Sequence, residues 1–405
     1  MILEKVFLFL VAVLVLGVLI FVHELGHFLV AKLRRVGVFE FAIGFGKKIW
    51  RRRIGETYYA IGIIPLGGYV RMCGDDPYEA YGAEEKREPG YGEAKQETLR
   101  PESLSSGGLK PEDAAFLADR SRWLLEKGFF SKASIVLAGP LANFLFALLL
   151  SIASFWLYGR PIAVNKPLIG GVFPDYPAAQ AGLKAGDYVR ELDGRPLSSW
   201  DDLARAVRLS GGREMELRVE RKDAASGVLQ TVIIRVRGTQ EGVELGLIDD
   251  RPEKQEDVQA YKIGIVPETE RRPVGLLQAV GDGAYHVWYL CRITGRILVA
   301  MVRGIVSPSK VVGGPIAVFA GAAKSAGRGL EALLDFMVLL GVSLAIFNLL
   351  PIPILDGGHL VFFVIEALKG GPIGLKWQTL ANQVGMAILI LLMTFALYND
   401  VVRLF

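Results

Sequence analysis

Three residues in one apolar stretch have the types and the spacing to do chemistry. They are His23, Glu24 and His27, within Phe21-Val22-His23-Glu24-Leu25-Gly26-His27. On a helix, positions 23 and 27 are i and i+4, so both imidazoles leave the same face one turn apart. That spacing suits two nitrogens on one zinc ion. The carboxylate of Glu24 beside them suits a general base acting on the attacking water. A zinc held by two histidines needs a third protein ligand if its fourth position is to stay open. Asp356, an acid embedded in Asn348-Leu349-Leu350-Pro351-Ile352-Pro353-Ile354-Leu355-Asp356, is the natural candidate. His359, one helical turn further on, is the rival ligand or a partner behind the ligands. The non-catalytic readings are two helical histidines satisfied by neighbours and an aspartate that caps the helix restarting at Gly357. The chain has four histidines in all, and two fall in this motif.

The elements that must position these groups are membrane helices. Residues 6 to 22, VFLFLVAVLVLGVLIFV, carry no charge. Polar groups at the end of such a span are costly there and default to a functional reading. The run continues through the motif without a small-residue cleavage site, so it reads as a retained helix rather than a signal peptide. Lys32, Arg34, Arg35, Lys47, Lys48, Arg51, Arg52 and Arg53 follow it, against Lys5 before it. The positive-inside rule places that basic side in the cytoplasm and the N-terminus outside. His27 and His23 then lie roughly 7 to 14 Å inward from Lys32, in the cytoplasmic leaflet. Because the basic run directly flanks a span, it argues for a lipid surface and against nucleic acid.

The whole chain of 405 residues is 52% hydrophobic with mean hydropathy +0.36 and net charge +4. That composition fits several spans plus a soluble part. Two distant cysteines, Cys73 and Cys291, read as free thiols.

Residues 38 to 43 and 57 to 64, each rich in β-branched and aromatic side chains, lead to Gly44-Phe45-Gly46 and Pro65-Leu66-Gly67-Gly68-Tyr69-Val70. They read as strands and tight turns. Beside a membrane site they suggest a small sheet dipping into the leaflet; an ordinary cytoplasmic hairpin is the alternative. Residues 74 to 118 read as a polar cytoplasmic insertion with a short helix at 111 to 119, and 120 to 132 as an interfacial helix. The second span covers 133 to 158 and contains Gly139-Pro140-Leu141-Ala142-Asn143. Small residues there allow close helix approach, and Asn143 touches substrate or binds helices together. Residues 274 to 306 read as one or two amphipathic helices on the outer surface, with a full span as the alternative and His286 an ordinary histidine. Gly313-Gly314-Pro315 opens a loop; further spans lie near 330 to 350 and 380 to 398. Between those two spans, Pro351 and Pro353 break the helix.

Residues 166 to 239 resemble a PDZ domain in its circularly permuted form, lying outside the membrane by topology. Strand signals at 169 to 172, 213 to 221 and 229 to 237 and helix signals at 177 to 181 and 200 to 208 carry the likeness. Its peptide groove is expected along Leu168, Ile169, Gly170, Gly171 and Val172. A folded spacer that only limits access is the alternative.

Taken together, the HELGH motif, the AGPLAN segment, the PDZ-like insertion and NLLPIPILDGG resemble the site-2 protease family of intramembrane zinc metalloproteases. The likeness is greatest to the bacterial regulator of sigma-E protease group. GFG at 44 to 46 and PLGGYV at 65 to 70 resemble that group as well. The resemblance implies one zinc per chain on His23, His27 and Asp356, with Glu24 as catalytic acid and base. It implies substrate contacts at Asn348, Pro351, Pro353, Gly44, Gly46, Gly67, Gly68 and Asn143, with the sheet receiving an unwound substrate as an added strand. The best-known members carry two tandem PDZ domains, and this chain shows one.

The expected architecture is a polytopic α-helical membrane protein with about four transmembrane helices, a membrane-dipping β-hairpin sheet and an inserted extracytoplasmic PDZ domain of mixed α/β type. Its divisions fall at 1–32, 33–73, 74–132, 133–159, 160–240, 241–328, 329–368 and 378–399. The expected protein is a monomer of the bacterial inner membrane with both termini and the PDZ domain extracytoplasmic. It cleaves single-span substrates, such as a pre-cut anti-sigma factor and signal-peptide remnants. The rivals are a membrane-anchored PDZ adaptor with an idle metal site and a metal transporter. The transporter is disfavoured by Glu24 and by the lack of further intramembrane acids.

Overall fold

A computed structural model of the chain describes residues 2–75, 111–173, 176–222, 228–239, 261–311 and 313–402. Most of the expected insertion at 74–118 lies outside these residues. The chain divides into two compact units, one of Met1–Ser151, Gly283–Thr294 and Pro308–Phe405, the other of Ile152–Asp282 and Gly295–Ser307.

The first unit opens with helix α1 (Ile2–Leu33), which carries the HELGH motif in its last third. Two long strands follow, β1 (Val38–Ile54) and β2 (Thr57–Met72). Residues 40–43 pair with both 58–61 and 68–71, while 48–54 pair with 57–62. Two strands therefore make a four-segment antiparallel sheet in the order 68–72, 38–45, 57–64, 48–54. Each strand must double back within itself. Gly44 (φ 81°) and Gly67 (φ 117°) supply the left-handed backbone at those bends. Ala31, Val36, Val38, Met72, Leu124 and Ile135 form the core that joins sheet and helices.

Helix α2 (Pro111–Ala118) matches the short helix expected there. The interfacial helix expected at 120 to 132 is not observed. A single 3-10 turn, Arg120–Arg122, stands in its place, capped by the Asp119 carboxylate accepting from Ser121 N. The amides of Leu124 and Leu125 donate to the carbonyls of Cys73 and Gly74. Those donors are thereby lost to any helix. Helix α3 (Phe129–Tyr158) then begins ahead of the expected span.

The second unit follows the expected order of elements. Strands β3 (Arg160–Ala163) and β4 (Ile169–Val172) precede the short helix α4 (Pro177–Gln180). After β5 (Tyr188–Leu192) and β6 (Arg195–Pro196) comes α5 (Trp200–Arg208), started by a capping box between Ser199 and Asp202. Strands β7 (Glu214–Lys222) and β8 (Leu229–Arg237) complete a sheet of order β6-β5-β7-β8. Strand β9 (Ile265–Pro267) pairs with β4, and β10 (Thr269–Arg272) with β3. Ile169, Val189, Leu203, Met215, Leu217, Val219 and Ile263 are fully or almost fully buried at the centre.

Residues 274 to 306 contribute one helix, α6 (Leu276–Val302). His286 Nδ1 lies 3.0 Å from Ser151 Oγ, as an ordinary histidine would. After the short α7 (Pro308–Val311) comes α8 (Pro315–Gly327), where a loop was expected. Its start is capped from far away in sequence: the buried Asp400 carboxylate accepts from Gly314 N at 2.9 Å and Ala317 N at 3.0 Å. Helices α9 (Leu330–Asn348) and α10 (Asp356–Lys369) flank the proline-broken loop, and α11 (Leu375–Val402) closes the bundle. Among the described residues, four helices are long and apolar enough to cross a membrane: Val6–Leu33, Phe129–Tyr158, Leu330–Asn348 and Leu375–Val402. At about 1.5 Å per residue, even α9, the shortest at about 28 Å, comes close to the roughly 30 Å of a hydrocarbon core.

Candidate metal centre and catalytic cavity

The site begins with close packing of α1 on α3. A Cβ added at Gly26 would meet the carbonyl of Ala138, and one added at Gly139 would fall on the imidazoles of His27 and His23. Glycine at both places lets the histidine face of α1 lie directly on α3. His27 thereby reaches the carbonyl of Ile135, one turn before Gly139, and its Nδ1 lies 2.8 Å from that oxygen. An Nδ1 proton donated there leaves the Nε2 lone pair facing the centre of the site.

The third member comes from the far end of the chain. Helix α9 stops at Asn348, and the loop through Pro351 and Pro353 returns the chain so that α10 starts with Asp356. Ile354 in this loop adopts φ 86°. A β-branched residue there is strained by about 1–3 kcal/mol. Nothing in the sequence announces that strain.

Asp356 Oδ2 lies 3.1 Å from His23 Nε2, Asp356 Oδ1 lies 3.5 Å from His27 Nε2, and the two Nε2 atoms are 3.2 Å apart. A tetrahedral zinc with bonds of about 2.0–2.2 Å separates its ligand atoms by about 3.3–3.5 Å. The spacing fits. So does the electrostatic situation: Asp356 Oδ2 is buried and accepts no hydrogen bond of acceptable geometry. Two imidazole nitrogens and a carboxylate converge here out of water, an arrangement that a cation would satisfy. Among the described residues, these three are a group whose ligand atoms lie close enough together to hold a metal ion. His359 lines the same cavity but stands outside the trio.

The trio opens onto a cavity of about 770 Å³, lined also by Glu24, Asn143, Asn348 and the edge segment of β2. A Cβ on Gly68 would sit 3.1 Å from Glu24 Cγ, and the Val70 backbone N–H hydrogen-bonds the Glu24 carboxylate. The sheet edge thus orients the base. The edge is itself anchored: the Tyr69 hydroxyl donates to Glu40, and the Lys48 ammonium stands 4.6 Å over the Tyr69 ring. Burial and that hydrogen bond hold the Tyr69 phenol above its usual range, so it remains a donor.

The other expected site residues divide. Gly67 and Gly68 line the cavity, whereas Gly44 and Gly46 sit in the bend of β1. Asn348 lines the cavity; Pro351 and Pro353 shape the loop behind it. The stretch Leu168–Val172, the expected peptide groove, is held at its start on both sides. Antiparallel pairing with β9 covers one side, and Ile169 is fastened on the other by Asp187 O and Gly186 N. Sequence reasoning missed Ile135, Gly139 and Val70 as parts of the site. Gly139 had a signal in its small-residue stretch; the other two act through backbone atoms, which side-chain patterns do not reveal.

Imidazole and carboxylate donors with a carboxylate base alongside and one open face are the chemistry of a hydrolytic zinc centre. Its seat among membrane-length helices makes this a membrane-embedded metallohydrolase. The model of peptidase family M50 matches residues 11–392, and the chain belongs to that family. It is 31% identical over 433 residues to the zinc metalloprotease RasP of Geobacillus kaustophilus, covering 97% of each chain. It is 30% identical over 437 residues to the regulator of sigma-W protease RasP of Bacillus subtilis, covering 97% of this chain and 98% of that one. To the regulator of sigma-E protease RseP of Escherichia coli it is 28% identical over 490 residues, again covering 97% and 98%. The protein is a membrane zinc metalloprotease.

Proposed function

We propose that the chain hydrolyses a peptide bond within the membrane in single-span proteins, receiving the substrate as a strand added to β2. The observation that carries this is the place of residues 68–72, which form the edge of the sheet and line the cavity that holds Glu24 and the metal trio. A substrate helix hides its carbonyls in i to i+4 bonds and must unwind before it can be cut. A bilayer offers no water to replace those bonds, but a sheet edge does.

Bound zinc supplies an acidified water and a Lewis acid for the scissile carbonyl. His23, His27 and Asp356 hold it, and the Ile135 carbonyl fixes the His27 ring. Glu24, oriented by the Val70 amide, takes the proton of the attacking water and passes it to the leaving amine. Asn348 hydrogen-bonds the extended substrate backbone, with Pro351 and Pro353 keeping the loop open beside it.

The basic residues after α1 set that end in the cytoplasm of a bacterial inner-membrane protein. The cavity then lies toward the cytoplasmic leaflet, and both termini and the PDZ-like unit lie outside. Substrates are proteins already trimmed on the outer side, such as an anti-sigma factor, and signal-peptide remnants. The names of two relatives, as proteases that regulate sigma-W and sigma-E, support that class. Glu24→Gln tests the reading in purified protein with a single-span substrate. Zinc should stay bound while cleavage stops. Undiminished cleavage would overturn the assignment, and an adaptor with an idle metal predicts no effect of Glu24 on any of its activities.

A further inference from the structure

We infer that Asn143 is a positioning residue for the metal: its side-chain oxygen accepts the Nδ1 proton of His23 and fixes the ring that presents Nε2 to zinc. The inference rests on the zinc reading of the trio. It begins with an amide that is out of place. Asn143 is 1% exposed, on a helix of membrane length. A buried amide is costly unless its hydrogen bonds are made. Here its Nδ2 lies 3.5 Å from His23 Nδ1, and its Oδ1 is buried without a partner.

The two halves of that arrangement point to one correction. His23 Nε2 faces His27 and Asp356, so it is the ligand atom. A ligating Nε2 needs its lone pair, and the ring proton must then sit on Nδ1, where it requires an acceptor. An amide nitrogen is not one. Turning the Asn143 amide half a turn about its last bond keeps its shape and brings the orphaned oxygen to Nδ1. One rotation satisfies both groups.

The layout of α3 gives the same answer independently. Ile135, Gly139 and Asn143 are spaced i, i+4, i+8 and so share one face. The face offers a carbonyl to His27 Nδ1, then a gap where a Cβ would strike both rings, then an amide to His23 Nδ1. The histidines are themselves i, i+4 on α1. Helix α3 therefore carries a matching pair of acceptors, one from backbone and one from side chain, for the outer nitrogens of both ligands.

The test is zinc affinity of the purified full chain by competition with a chelator at fixed pH. Asn143→Leu should weaken zinc about 10- to 100-fold, the usual effect of losing an acceptor behind a metal ligand. Asn143→Asp keeps an oxygen at Nδ1 and should stay within about threefold of wild type or bind more tightly. Asn143→Ala serves the same comparison if the leucine variant does not fold. Wild-type affinity in the leucine or alanine variant, with only the metal-free protein melting lower, would overturn the inference and leave Asn143 as helix packing. So would an aspartate variant as weak as leucine. His23→Ala separates the two levels: if it binds zinc like wild type, the zinc reading of the trio is what fails.

Discussion

Gly139→Ala adds one methyl group behind the two histidines, and it should disable the enzyme. The added Cβ would lie 2.6 Å from His27 Cε1 and 2.8 Å from His23 Cε1, where ordinary contact begins at 3.4 Å. The nearest atom is His27 Nε2 at 2.2 Å, so the His27 ring must retreat by about 1.2 Å, and the ring of His23 by about half as much. Overpacking of this kind costs about 1–3 kcal/mol when helices shift to absorb it. Helix α1 cannot move as a whole without opening the contact at Gly26, so the imidazoles take the displacement. A misplacement near 1 Å in a reacting constellation costs on the order of 100-fold in rate. His27 also loses its 2.8 Å approach to the Ile135 carbonyl, which should weaken zinc by about 10-fold or more. Zinc content after dialysis against a weak chelator reads the second effect, and cleavage of a single-span substrate at saturating zinc reads the first. Wild-type zinc retention together with a wild-type rate would refute the claim that the α1–α3 contact sets the geometry of the site.

Removing the third ligand by Asp356→Ala should lower zinc affinity by more than the roughly 100-fold upper range of lost outer partners; unchanged zinc content by elemental analysis would transfer the ligand role to His359. Burial raises the Glu56 carboxyl, but hydrogen bonds from Lys32 and Arg122 outweigh it and leave its pKa below the usual 4.5. A depressed folded value means this ion triad stabilises above about pH 4.5 and is lost as the pH falls below it. The melting temperature of Glu56→Gln should accordingly trail wild type at pH 7 and converge with it in acid, and a gap that persists at the lowest pH would contradict the assignment. Burial also pushes the Cys73 thiol up to about 12, and the side chain is 0% exposed. Alkylation at pH 8 followed by mass spectrometry should find Cys73 modified on the order of a thousandfold more slowly than a free thiol until the protein is unfolded.

The sequence by itself determined the chemistry and its setting. His23, Glu24 and His27 are local on one helix, so helical periodicity is enough to bring them together. An uncharged run with basic residues at one end is enough to place them in a membrane. Asp356 was legible as a candidate, because an acid after two prolines in an apolar segment reads either as a ligand or as a helix cap, and the structure brings its carboxylate to His23 and His27. The same local logic found the strands and helices of the second unit, whose capping box and alternating strands are written in consecutive residues.

What only the tertiary structure decided involves backbone atoms and distant partners. The double-backed sheet depends on register, and register is a property of pairs of segments. The expected loop is confined to Gly313 and Gly314, and a helix starts at Pro315 because Asp400 caps it across the bundle. The helix expected at 120 to 132 is lost because its amides find the carbonyls of Cys73 and Gly74. That β9 is the pairing partner of β4 is likewise visible only in the fold. The feature that sets the ring of His27, the carbonyl of Ile135, has no side-chain signature at all. Sequence patterns report what side chains prefer along one element. A metal site also needs acceptors, gaps and edges that two elements supply to each other, and those exist only once the chain has folded.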